Sequence, residues 1–194
     1  MRLVMAKKKA AASAEGPDDE KRRWLEKIKA IREKAGASIN DIRAALEAAG
    51  GDEAKALQIL RERGAQFAEK RQGRATGQGR VESYVHHDGR LGALVEVDCE
   101  TDFVARTTEF VQFCRDVAMH VAAMNPRYLR PEDAPAGDTR APEDLKAVCL
   151  LEQPFVKDQG TTVKDLLKAL IAKTGENVVI RRFVKFVVGE ATTS

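Results

Sequence analysis

The sequence predicts an α+β fold, with an N-terminal three-helix ubiquitin-associated-like bundle followed by a core of antiparallel sheet packed with helices. Three observations carry that prediction. Apolar residues recur at helical spacing between residues 17 and 64. Two alternating runs then flank Asp88-Gly89, a strong two-residue hairpin signal. Beyond the hairpin lie a long apolar helical stripe and a closing strand region rich in valine and isoleucine.

The bulk numbers narrow the class. A length of 194 residues suits one compact domain or two small ones. Hydrophobic residues at 43% and charged residues at 32% are a globular composition. A net charge of +3 is too mild to imply nucleic acid, so no direct nucleic-acid partner is expected. Cys99, Cys114 and Cys149 form no CxxC pair and are odd in number, so they read as reduced thiols. No apolar run approaches the roughly 18 residues that would span a bilayer, and no membrane partner is expected.

Residues 1–16 are basic and alanine-rich around Lys7-Lys8-Lys9 and read as a disordered tail. They lack the apolar core of a secretory signal and are too poor in arginine and serine for a transit peptide, so a cytoplasmic protein is expected. Residues 17–64 form the three-helix unit. Pro17 and the acids after it suit a helix start, and Trp24, Leu25, Ile28 and Ile31 form one face. Gly36-Ala37 breaks that helix, and Ser38 with Asp41 caps a second one bearing Ile39, Ile42, Ala45, Leu46 and Ala49. Gly50-Gly51 ends it. Asp52 caps a third helix with Ala56, Leu57 and Leu60 inward, closed at Gly64. Three helices in about 45 residues fold alone only marginally.

Residues 65–80, glycine-punctuated and basic, read as a linker. Residues 81–190 form the α+β core domain. Leu91, Ala93, Val95, Val97 and Cys99 line one face of the return strand. His86-His87 invites a metal reading, but neighbours on a strand point to opposite faces, so no metal site is expected. A helix then runs to Asn125-Pro126, residues 129–143 read as a proline-rich loop, and Leu145–Leu151 as a short amphipathic segment. Thr162 caps a helix from Val163 to Lys173, Thr174-Gly175 ends it, and the last strand runs from Val178 to Val188.

The stretch Thr101-Asp102-Phe103-Val104-Ala105-Arg106 sits between the return strand and the long helix. Phe103, Phe110, Cys114, Val117 and Val121 fall on one helical stripe. If the helix begins before Phe103, that phenylalanine is a core anchor. If Thr107 or Thr108 caps the helix, Phe103 is free to project. Periodicity alone favours the core.

This stretch, TDFVAR, resembles the signature of elongation factor Ts, the guanine-nucleotide exchange factor of bacterial and organellar translation. The strings AMHVAAMNPRYL (118–129), LLEQPFVKD (150–158) and GENVVIRRFVKFVVGE (175–190) resemble that family in the same order. The family's N-terminal motif runs threonine-glycine-alanine-glycine before paired methionines and an aspartate. In Ala35-Gly36-Ala37-Ser38-Ile39-Asn40-Asp41, Gly36, Ala37 and Asp41 match, while Ala35, Ser38, Ile39 and Asn40 depart.

The resemblance implies a partner, elongation factor Tu, bound in its GDP-bound and nucleotide-free forms. It implies that Asp102 and Phe103 are a wedge entering the partner near its magnesium and phosphates. Thr101 and Val104 support that wedge, Arg106 makes a local ion pair or surface contact, and Gly36 and Ala37 give a second grip. The family's longer central insertion contributes subunit contacts, and the short loop here speaks against a family-like homodimer. No cofactor is implied. The chain is not expected to be an enzyme: Cys99 and Cys114 lie on apolar faces, and no HExxH, GxSxG or phosphate-loop motif occurs. The rival reading is a non-catalytic adaptor that binds a ubiquitin-like partner through the three-helix bundle.

Overall fold

A computed structural model describes residues 17–190; the tail expected over residues 1–16 lies outside the described residues. The described chain is α+β and falls into two compact units divided between Leu60 and Arg61.

The first unit is helical. Helices α1 (Pro17–Ala35), α2 (Ile39–Ala48) and the first part of α3 (Glu53–Arg71) enclose Ile28, Ile31, Ile42, Ala45, Leu46, Ala56 and Leu60. Their boundaries are set by local chemistry. Gly36 takes a left-handed φ of 61°, and Ser38 Oγ accepts the Asp41 amide at 3.2 Å to start α2. Asp52 Oδ1 accepts the Lys55 amide at 3.0 Å in the first turn of α3. Leu25 and Ile39, expected on the apolar faces, are exposed instead. Each sits at the edge of its helical stripe, where Ile28 and Ile42 already fill the interior.

Helix α3 does not stop at Gly64. It continues to Arg71, so residues 65–71, expected as linker, are helical. The sequence Ala-Gln-Phe-Ala-Glu-Lys-Arg after Gly64 is made mostly of good helix formers, which outweigh one glycine. A Cβ at Gly64 would meet Ala172 Cβ at 3.4 Å, an ordinary contact, so the position does not demand a glycine. Phe67 and Ala68 then pack into the second core.

The second unit is built on a three-stranded antiparallel sheet in the order β1-β2-β5, from β1 (Gln78–Val85), β2 (Leu91–Cys99) and β5 (Val178–Val187). Ala93, Val95, Val97 and Cys99 of β2 and Val178 and Ile180 of β5 face inward. Helices α5 (Thr108–Met124) and α7 (Val163–Thr174) cover them with Phe110, Cys114, Val117, Val121, Leu170 and Ile171. Between these helices lie the one-and-a-half-turn α6 (Pro142–Ala147) and a small hairpin of β3 (Pro154–Phe155) and β4 (Asp158–Thr162). The helix α6 begins inside the segment expected as loop, where Pro142 suits the first helical position.

The pairing of β2 with β5 shifts register between Glu96 and Val97, so Arg181 is an extra residue on β5. The bulge turns Arg181 and Arg182 the same way: Arg181 pairs with Asp98 at 2.7 Å and Arg182 with Glu96. Strand β1 ends at Val85, before the histidine pair. His86 and His87 are therefore not on opposite faces of a strand, and their ring centroids stand 4.3 Å apart. Among the described residues no group of three or more His, Cys, Asp or Glu is arranged to hold a metal ion.

Candidate functional site

The four residues Thr101, Asp102, Phe103 and Val104 come together at the end of the sheet where β2 leaves it. A single helical turn, α4 (Asp102–Ala105), follows β2, and Thr101 is its N-cap with the Val104 amide 3.4 Å from its Oγ1. Thr107 then starts α5, its Oγ1 accepting the Phe110 amide at 3.3 Å and donating to the Val104 carbonyl at 2.8 Å. Two caps six residues apart thus split one apparent stripe into two helices. Ala105, the last residue of α4, is buried, and Phe103 points out with 80% of its surface exposed, the highest of the exposed large hydrophobics among the described residues. The core alternative for Phe103 is therefore excluded.

Asp102 lies beside it with its carboxylate 3.0 Å from the Arg106 guanidinium, an i,i+4 pair. Both groups are well exposed, so this ion pair contributes little to stability and can exchange partners.

Residues beyond the motif hold its base. Strand pairing ends at Cys99 opposite Val178, so the Glu100 and Thr101 amides have passed the last rung of the ladder. Glu176, from the turn between α7 and β5, accepts both of them at 3.1 and 3.0 Å and takes the Thr101 hydroxyl proton at 2.6 Å. In return Glu100 accepts the Asn177 amide at 2.7 Å, and the Asn177 side chain donates to the Arg74 carbonyl at 2.8 Å. The Asn177 amide and the nearby Arg74 guanidinium hold the Glu100 carboxyl below the usual range. Glu176, Asn177 and Arg74 carried no role in the sequence reading. Their one signal was position, since Gly175-Glu176-Asn177 immediately precedes the strand that pairs with β2.

Gly36 and Ala37 lie in the other compact unit, in the tight link between α1 and α2. Gly36 donates to the Arg32 carbonyl at 2.9 Å, which completes the end of α1. Ala37 is partly buried against the first core.

All three thiols are buried and free. Burial pushes the Cys99 thiol up to about 11 and the Cys114 thiol up to about 12, so neither is a ready nucleophile. No helix among the described residues is long and apolar enough to cross a membrane.

Comparison with known proteins bears on the whole arrangement. The family profile described as "Elongation factor TS" matches residues 20–144. The elongation factor Ts of Rubrobacter xylanophilus is 46% identical over 189 residues, covering 84% of this chain and 97% of that protein. The elongation factor Ts of Carboxydothermus hydrogenoformans is 46% identical over 190 residues, covering 84% of this chain and 88% of that protein. That of Thermotoga petrophila is 44% identical over 191 residues, covering 86% of this chain and 96% of that protein.

Proposed function

The chain belongs to the elongation factor Ts family, a family of translation elongation factors, and from that premise we propose that it is a guanine-nucleotide exchange factor. It binds elongation factor Tu carrying GDP and promotes GDP release through Asp102 and Phe103. What supports this reading most directly is a bare phenylalanine on a capped, tethered helical turn, beside a carboxylate.

The physical task is one of coupling. A GTPase holding GDP at nanomolar affinity binds it with about 12 kcal/mol. An exchange factor lowers that affinity by binding the empty state better than the loaded one, and linkage makes the effect reciprocal. Incoming nucleotide then expels the factor. Such a protein forms and breaks no covalent bond.

Phe103 is the wedge. An apolar ring inserted between packed elements forces a discrete repacking, because close-packed interiors do not deform smoothly. Asp102 brings negative charge toward a site built to hold magnesium and phosphate, where it competes for the cation or for the backbone donors that phosphate leaves. Its pairing with Arg106 at 3.0 Å keeps that charge satisfied in the free protein. Gly36 and Ala37 supply a second grip on the partner, and two linked contacts strengthen each other through effective concentration.

The test is release of fluorescent GDP from elongation factor Tu on mixing with this protein and with buffer. Acceleration that saturates with protein, in the presence of excess unlabelled GDP that traps the emptied partner and frees the factor for further turnovers, is the expected result. Release at the buffer rate with folded protein contradicts the proposal.

A further inference from the structure

We propose that Glu176 is the positioning residue of the wedge: its carboxylate holds Thr101 so that α4 projects Asp102 and Phe103 in one fixed direction. This rests on the exchange reading above and adds a residue from the far side of the sequence.

A four-residue helix cannot hold itself, since fixing the first turn costs more than its hydrogen bonds return. Phe103, 80% exposed, has little packing of its own to fix its direction. That direction is inherited from the backbone of α4, whose far end is anchored by buried Ala105 and by Val104 against the core, and whose near end is held at Thr101. Glu176 makes three hydrogen bonds there. Oε2 accepts the Glu100 and Thr101 amides, and Oε1 takes the Thr101 hydroxyl proton at 2.6 Å. The last contact orients the hydroxyl. With its proton committed to Glu176, the oxygen presents a lone pair to the Val104 amide, which is the cap of α4. One carboxylate therefore holds the entry to the turn and arms its cap.

The tether is doubled in the opposite sense by Glu100, which accepts the Asn177 amide and lies 3.5 Å from the Arg74 guanidinium. Cys99 Sγ donates to the Thr101 carbonyl at 3.1 Å. The carboxylate of Glu176 is the member of this set that bonds Thr101 through both backbone and side chain. Charge-assisted bonds to amides are the stronger kind, so its loss is felt locally.

The experiment measures saturating GDP-release rate and half-saturating concentration separately, for the full chain and for Glu176→Ala, Glu176→Gln, Phe103→Ala and the Phe103→Ala/Glu176→Ala double variant. Glu176→Ala is expected to lower the saturating rate about tenfold with little change in half-saturation. Glu176→Gln, which keeps one oxygen for the two amides but turns a donor toward the Thr101 hydroxyl and loses the charge, recovers only part of that rate. On the Phe103→Ala background the Glu176 substitution costs much less than in the parent, because only Asp102 is left on α4 for it to misplace. Amide hydrogen exchange in Glu176→Ala quickens at Glu100, Thr101 and Val104 while α5 stays protected. If Glu176→Ala loses its fold by circular dichroism, Thr101→Val breaks the same contact from the other side and is expected to give the same split. A parental saturating rate in Glu176→Ala, or a fold-loss in rate that is undiminished on the Phe103→Ala background, overturns the inference and leaves the wedge intact. A parental rate in Phe103→Ala overturns the wedge itself and the role of Glu176 with it.

Discussion

Phe103 and Phe110 stand seven residues apart, two turns of an ideal helix, yet Phe103 is 80% exposed and Phe110 fully buried. The Thr107 cap between them is the cause. It ends α4, restarts the chain as α5, and lets the second phenylalanine enter the core while the first stays in solvent.

Removing that cap is expected to cost stability. Thr107→Ala deletes the bonds to the Phe110 amide and the Val104 carbonyl. The expected loss is about 1 kcal/mol by denaturant titration. Under the proposed function, slower GDP release from the partner is expected with it, since Val104 shares the α4 turn with Phe103.

The two phenylalanines should respond oppositely to truncation. Phe110→Ala opens a cavity under the sheet and is expected to cost about 3–5 kcal/mol. Phe103→Ala is expected to leave stability within about 0.5 kcal/mol of the parent, as exposed positions do. Thermal melts of the pair check both. A large loss in Phe103→Ala would mean the ring is packed.

His120 gives the protein a pH dependence. It is buried on α5, with Nε2 2.9 Å from Gln153 Oε1 and Nδ1 accepting the Val156 amide at 3.2 Å. Burial lowers its pKa below the ordinary 6.5, against a smaller opposing effect of Gln153. The unfolded chain thus takes up the proton before the folded one. Stability contributed by neutral His120 is present above the unfolded pKa and is lost as pH falls from about 6.5 toward the lower folded value. The melting temperature is expected to drop over that window in the parent and to flatten in His120→Asn, which does not titrate.

The proposed second grip at Gly36 and Ala37 has its own signature. Ala37→Glu places a charge in the link between α1 and α2 without touching α4. Half-saturation is expected to rise several-fold while the saturating rate changes little, the pattern of a lost binding contact. A fall in saturating rate alone would argue against this role.

Much of this architecture was legible because it is local. Ser38, Asp52, Thr162 and Gly175 sit at helix ends where their chemistry places them, and the alternation of β2 follows from its inward face. Phe103 was ambiguous because a seven-residue offset is the same whether or not a cap intervenes. Gly64 misled because a helical glycine and a terminal one look alike in the sequence, and here the good helix formers on either side carry the helix through it. Glu176 was illegible for a different reason. It meets Thr101 across 75 residues of chain, through a register that only the folded sheet defines.

The measurement that bears most directly on the central claim compares Asp102→Ala/Phe103→Ala with the parent in release of fluorescent GDP from elongation factor Tu. The expected result is acceleration by the parent and a rate near that of buffer for a double variant that melts normally. Equal acceleration by both proteins would contradict the assignment of the wedge.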